Sequence, residues 1–156
     1  MKKDIKLKAG NVAPKFTLLN QDGEKVSLKD SLGKKVLLYF YPKAMTPGCT
    51  VQACSLRDSK KAYDKNKIVV LGVSPDAPTR LKKFIERDNL NFTLLSDEDH
   101  ALAETYGVWG LKKFMGKEYM GVMRVSFLID EAGKILEVMS DVKTKTHHQD
   151  ILDLLK

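Results

Sequence analysis

At 156 residues, 43% hydrophobic and 30% charged, the chain has the size and balance of one soluble globular domain spanning 1–156. No apolar run approaches the roughly 20 residues of a membrane span, and Met1-Lys2-Lys3-Asp4-Ile5-Lys6 lacks the apolar stretch of a signal peptide. The net charge of +7 comes from lysines spread along the chain, with Lys2, Lys3, Lys6 and Lys8 as a solvated terminal run; no basic patch interleaved with aromatics points to nucleic acid. A cytoplasmic, non-membrane protein is expected, and there its two cysteines point to catalysis or metal binding rather than to a structural bridge.

In chain order, residues 16–20 and 25–28 flank Gln21-Asp22-Gly23-Glu24 and read as a hairpin. The apolar run 36–41 reads as a buried strand, and a helix opens at Pro47 and runs to about residue 64. Residues 68–73 form another buried strand, broken by Ser74-Pro75-Asp76-Ala77-Pro78. Leu81, Phe84 and Ile85 then carry helical spacing. A short strand at 92–95 precedes a short helix at 100–106, stopped by Gly107. Residues 110–121 have no clear period and read as a loop. Residues 122–129 and 134–139 form a second hairpin around Asp130-Glu131-Ala132-Gly133. Thr146-His147-His148-Gln149 matches a capping box, opening a last helix buried through Ile151, Leu152, Leu154 and Leu155. No repeat, linker or low-complexity tract interrupts this order.

The segment Pro42-Lys43-Ala44-Met45-Thr46-Pro47-Gly48-Cys49 joins the strand at 36–41 to its helix. Thr46 is a good N-cap, and Pro47 suits the first helical position, where a missing N–H costs nothing. Cys49 then falls in the first turn, where unpaired backbone N–H groups and the positive end of the helix dipole meet. Both favour the thiolate, the nucleophilic form. A free cysteine is often only a small buried hydrophobe; the strand, the cap and the first-turn position argue otherwise here. Cys54 lies five residues on, not at Cys-x-x-Cys spacing. On an ideal helix such residues are turned about 140° and raised about 7.5 Å, so their Cα atoms stand roughly 8.5 Å apart. A disulfide usually needs less than about 7 Å. Should the two bond, the helix must unwind locally, and low local stability becomes part of the mechanism.

Alternation over 122–129 sets Arg124 mid-strand on the face of Val122, Ser126 and Leu128. There it either has a partner or is an edge-strand surface charge. Thr46 can cap the helix or meet a substrate, and Pro42 can shield the thiolate or end the strand. His147 and His148, beginning an amphipathic helix, are expected in solvent rather than on a metal, and His100 likewise. Cys54 shares helical spacing with Val51 and can turn inward. Trp109, Phe114, Met115, Tyr119 and Met120 are expected to cover the core, and Arg57 and Asp58 to lie at the helix surface or end.

The proline at 42, Thr46 and Cys49, in that spacing, resemble the active-site signature of the peroxiredoxins. The stretch YFYPKAMTPGCTVQACSLRD is similar to the bacterioferritin comigratory protein branch, also called peroxiredoxin Q, and the likeness continues through NFTLLSDEDH, YGVWG, FMGK and RVSFLID. The βαβ order, then a hairpin and a terminal helix, is that of a thioredoxin-like α/β fold. A central mixed β-sheet flanked by helices is expected, with the N-terminal β-hairpin and residues 92–106 as additions of the kind peroxiredoxins carry. Cys49 would sit where a strand's carboxyl end meets a helix N-terminus.

The resemblance further implies a thiol-dependent peroxidase acting on hydrogen peroxide and organic hydroperoxides. Cys49 attacks the peroxide and becomes a sulfenic acid. Thr46, Arg124 and the Cys49 backbone N–H stabilise the developing charge, and Arg124 falls where the family carries its distal arginine. Pro42 shields the thiolate. Cys54 resolves the sulfenic acid as an intramolecular disulfide, which thioredoxin, or glutaredoxin, reduces. No metal, haem or flavin cofactor is needed, and an intrachain resolving cysteine lets a monomer suffice. Two other classes are a thioredoxin-fold metal chaperone using Cys49, Cys54 and a histidine, whose usual Cys-x-x-x-Cys spacing is absent, and a basic binding or chaperone module.

Overall fold

Period-two alternation in one strand divides the core into two layers. In β3 (Lys35–Phe40), Val36, Leu38 and Phe40 face one side, while Leu37 and Tyr39 face the other, all nearly inaccessible. A strand buried on both faces belongs at the centre of a covered sheet. The computed structural model describes residues 5–155, and of Phe114 the backbone alone; the readings of Lys2, Lys3 and the first four residues lie outside it.

β3 pairs in parallel with β4 (Ile68–Ser74), and β4 in parallel with β5 (Thr93–Ser96). On the other side of β3, β8 (Val125–Ile129) runs antiparallel. The hairpin of β1 (Thr17–Asn20) and β2 (Lys25–Ser27) extends the sheet beyond β5, and β9 (Ile135–Met139) forms the opposite edge. The order is β2-β1-β5-β4-β3-β8-β9, a mixed thioredoxin-like sheet with the N-terminal hairpin added.

Four helices supply the layer that meets Leu37 and Tyr39: α1 (Pro47–Asp58), α2 (Lys60–Lys65), α3 (Pro78–Asp88) and α5 (His147–Leu154). They contribute Ala53 and Leu56, Tyr63, Leu81 and Phe84, and Ile151. The opposite layer is closed by α4 (Ala101–Thr105) through Leu102 and Ala103, and by the start of the chain. There Ile5 and Leu7 pack inward, while Lys6 and Lys8, the described lysines of the basic run, stay exposed between them. Among the described residues, no helix is long and apolar enough to cross a membrane.

The sequence expectations are corrected at several elements. The helix expected to reach residue 64 breaks at Ser59, whose hydroxyl donates to the Ser55 carbonyl at 2.9 Å; such back-bonding bends helices. Residues 110–121 are no loop: β6 (Trp109–Phe114) and β7 (Lys117–Val122) form a separate hairpin around Met115-Gly116. Both turn residues have positive φ, 50° and 80°, as the tight I′ hairpin turn requires. The hairpin exposes Leu111, Met115, Tyr119 and Met120. Met115, Tyr119 and Met120 therefore do not cover the interior as expected, and the same expectation for the Phe114 side chain lies outside what is described. Trp109 is part-buried, and its ring stacks on His100 at 3.8 Å. The expected strand 122–129 is really the end of β7 and then β8, so Arg124 stands between strands. At α5 the capping box does not form: the Thr146 hydroxyl donates to Asp150 Oδ2 at 2.9 Å.

Gly72, in the middle of β4, is a point where backbone and buried side chains approach closely. A Cβ there would stand 2.9 Å from Leu94 Cδ2 and from the Tyr39 ring. Tyr39 and Leu94 are themselves buried and cannot yield freely. Gly72→Ala is therefore expected to cost about 1–3 kcal/mol through overpacking, seen as a Tm several degrees lower. An unchanged Tm in thermal denaturation would contradict this packing.

Candidate active site

The chain leaves β3 through a loop that is fixed before α1 begins. Asp76, just past β4, accepts the Ala44 N–H at 2.7 Å and the Ser74 hydroxyl at 2.7 Å. Arg80 on α3 pairs with Asp76 at 3.2 Å and donates to the Ala44 carbonyl at 3.0 Å. Both polar backbone groups of Ala44 are thus satisfied by one ion pair. Next to it Met45 adopts φ 65°, a left-handed conformation costing about 1–2 kcal/mol for a non-glycine residue. The clamp and the strained residue turn the chain so that Thr46 and Pro47 open α1.

Thr46 occupies the N-cap position with extended backbone, yet its hydroxyl does not cap the helix; it donates to the Lys43 carbonyl at 2.8 Å. The expected capping by this side chain is therefore absent, and the oxygen keeps its lone pairs for another donor. Pro42 lies half-buried in the same loop. Cys49 is the third residue of α1 and only 1% exposed, in the layer of Tyr39 and Tyr41. Its first-turn position is the one read from the sequence.

Arg124 reaches the same place from the other side of β3. The register sets Val125 opposite Phe40, so Arg124 stands beside the chain as it leaves β3. Its Nη2 lies 3.4 Å from Cys49 Sγ, and its Nη1 donates to Gln52 Oε1 at 2.6 Å. Arg124 is thus neither mid-strand nor an edge charge. Gly48 completes the fit: a Cβ there would come within 3.4 Å of Nη2.

Gln52 continues the chain of contacts. Its Nε2 is 3.1 Å from His147 Nδ1, and His147 Nε2 is 2.7 Å from Ser126 Oγ. Gln52, Ser126 and His147 are all fully buried. His147, expected in solvent, is therefore an interior residue. Burial first, and then the charge of Arg124, push its pKa down to about 3, so the ring is neutral near pH 7. His148 is half-buried, and its carbonyl accepts the Tyr63 hydroxyl at 2.9 Å.

Cys54, on the same helix, is half-buried, and neither it nor the buried Cys49 is in a disulfide. Burial pushes its thiol pKa up, against a smaller opposing pull from Arg57. Arg57 itself ties the end of α1 to the Asp88 carbonyl, and Arg87 donates to Thr50 Oγ1 at 2.8 Å. Among the described residues, no three His, Cys, Asp or Glu side chains cluster as metal ligands would.

The structure thus brings Cys49 and Arg124 into contact, with Thr46 and Pro42 on the loop beside them and Cys54 further along α1. Sequence reasoning missed Gln52, Ser126, His147, Asp76 and Arg80. Gln52 carried a usable signal, since it follows Cys49 by three residues and shares its helix face. Asp76 was hidden in a segment that read only as a strand break.

The comparisons with known proteins agree with this geometry. The model of the AhpC/TSA family matches residues 9–138. A protein of Haemophilus influenzae named "Putative peroxiredoxin bcp" is 62% identical over 150 residues, covering 96% of this chain and 97% of the relative. "Peroxiredoxin Bcp" of Escherichia coli is 59% identical, covering 96% of each. Among solved structures, peroxidoxin BcpB of Mycobacterium tuberculosis superposes with a TM-score of 0.85 at 35% identity, covering 96% of each chain. The chain belongs to the AhpC/TSA family and, within it, to the Bcp and PrxQ peroxiredoxins, which are thiol peroxidases.

Proposed function

We propose that this thiol peroxidase reduces hydrogen peroxide and organic hydroperoxides with Cys49 as the attacking thiolate and Cys54 as the resolving thiol. Thioredoxin, or glutaredoxin, then reduces the resulting disulfide, and the enzyme works as a cytoplasmic monomer folded as a single domain. The observation that carries this reading is Arg124 Nη2 at 3.4 Å from Cys49 Sγ, at the N-terminal turn of α1 and out of bulk water.

In the first step the Cys49 sulfur attacks one peroxide oxygen. An S–O bond forms and the O–O bond breaks. Cys49 becomes a sulfenic acid, and the second oxygen leaves and takes up a proton as water or an alcohol. Negative charge shifts from sulfur to that oxygen, and the Arg124 guanidinium and the free N–H groups of the first turn are donors fixed in advance for it. The Thr46 hydroxyl, whose proton is engaged by Lys43, can accept the peroxide O–H and so orient the reacting oxygen. Pro42 limits water at the sulfur.

In the second step the Cys54 thiolate attacks the sulfenic sulfur, an S–S bond forms and hydroxide leaves as water. Both cysteines lie on the uninterrupted helix α1, where residues five apart have Cα atoms roughly 8.5 Å apart. That is beyond the reach of a disulfide, so α1 has to open.

Peroxide consumption with thioredoxin and its reductase tests the assignment. Cys49→Ser should abolish turnover, because a serine hydroxyl is far from ionised at neutral pH. Cys54→Ser should still be oxidised once but stall in recycling, and should over-oxidise more readily. Equal turnover by Cys54→Ser and the parent protein would remove Cys54 from the cycle. Arg124→Lys keeps the charge but loses the planar fork that spans Cys49 and Gln52. It is expected to slow the peroxide step by about 10²-fold with the fold intact, and an unchanged rate constant would refute this role. Hydrogen exchange should show protection lost from Pro47 to beyond Cys54 on oxidation, with little change in α5. Equal protection in both redox forms, with the disulfide verified by mass, would rule out the opening of α1.

A further inference from the structure

We propose that His147, on the C-terminal helix, is a positioning residue for Arg124 and acts on it through Gln52. The proposal rests on Arg124 serving Cys49 as described above. The direction of every hydrogen bond in the chain is set at one end. A guanidinium only donates, so Gln52 turns Oε1 to Arg124 Nη1 at 2.6 Å and its NH2 to His147 Nδ1 at 3.1 Å. Nδ1 must then carry a lone pair. The ring proton therefore sits on Nε2, which donates to Ser126 Oγ at 2.7 Å.

Gln52, His147 and Ser126 are each 0% exposed, so none can exchange its partner for bulk water. Any other state of the imidazole sets an N–H against the Gln52 NH2. The amide could escape only by flipping, which would turn that NH2 against Arg124. A glutamine held at one end alone could also rotate away from the guanidinium. Held at both ends, it fixes Nη1 and leaves Nη2 aimed at the Cys49 sulfur. The helix that supplies His147 begins 95 residues beyond Gln52. Its first residue is thereby tied to the orientation of Arg124.

The test is the first oxidation of Cys49 by hydrogen peroxide, in protein reduced beforehand and given no reductant. It does not depend on how Cys54 acts. His147→Leu keeps an apolar side chain of similar bulk but offers Gln52 no acceptor. It is expected to lower the second-order rate constant about tenfold. His147→Asn, which can place an amide oxygen near the position of Nδ1, should recover most of that loss. With Arg124→Lys already in place, His147→Leu should lower the rate by less than about twofold, because the group it works through has gone. An unchanged rate in His147→Leu, or an equal loss with and without Arg124, overturns the proposal whatever happens to Tm. Should His147→Leu fail to fold, nitrogen NMR shifts of the His147 ring in the parent protein decide the matter. A proton on Nε2 alone, with signals that move in Arg124→Lys, supports the proposal, and a proton on Nδ1 overturns it. Failure of the parent Cys49 to react with peroxide would instead strike the peroxidase reading, and the NMR result would still judge the geometry.

Discussion

A guanidinium held against a nearly buried sulfur is the contact around which this molecule is arranged. Arginine is a long side chain, and fixing it costs about 2 kcal/mol of rotamer entropy. The structure meets that cost from two directions. The β3–β8 register, with Val125 opposite Phe40, delivers the Arg124 backbone to the exit of β3, where the loop to Cys49 begins. A slip of one residue in that register would turn Arg124 to the other layer. Gln52, one helical turn beyond Cys49, then holds the far end of the side chain. Sheet register and helix phase therefore converge on one side chain, and neither alone would place it.

The loop between β3 and α1 is the other half of the same constraint. Met45 in a left-handed conformation would relax if its neighbour were free. Asp76 and Arg80 prevent this by binding both polar groups of Ala44. Part of the order of the loop that leads to Cys49 thus comes from the far end of β4 and the start of α3. The sheet there acts as a rigid frame for a strained connection.

The legibility of the site in the sequence follows how local each cause is. Cys49 could be placed because the strand, Thr46 and Pro47 that position it are its neighbours in the chain. The two-layer sheet was legible because β3 and β4 are buried throughout and short apolar runs leave little choice of element. Arg124 could be singled out only as an arginine among apolar residues, and its family resemblance was needed to give it a role. The break between β7 and β8 that positions it has no pattern of its own. The hairpin of β6 and β7 was illegible because its exposed residues obey no alternation. His147 was misread for a different reason. Its neighbours Lys145, Thr146, His148 and Gln149 are those of a solvated helix start, and its partners lie 95 and 21 residues away.

The sequence of α1 adds a consequence of its own. Gly48, Thr50, Val51 and Ser55 are weak helix formers, so the helix depends on its tertiary contacts more than on propensity. Thr46, Cys49 and Gln52 all ride on the stretch that a bond between Cys49 and Cys54 would unwind. Such a bond would dismantle the cradle for peroxide in the same movement that brings the disulfide into view. The oxidant and the reductant would then meet two different surfaces of one segment, never present together. A ping-pong order would follow from the chain's geometry, and excess peroxide would have no folded pocket in which to compete with the reductant.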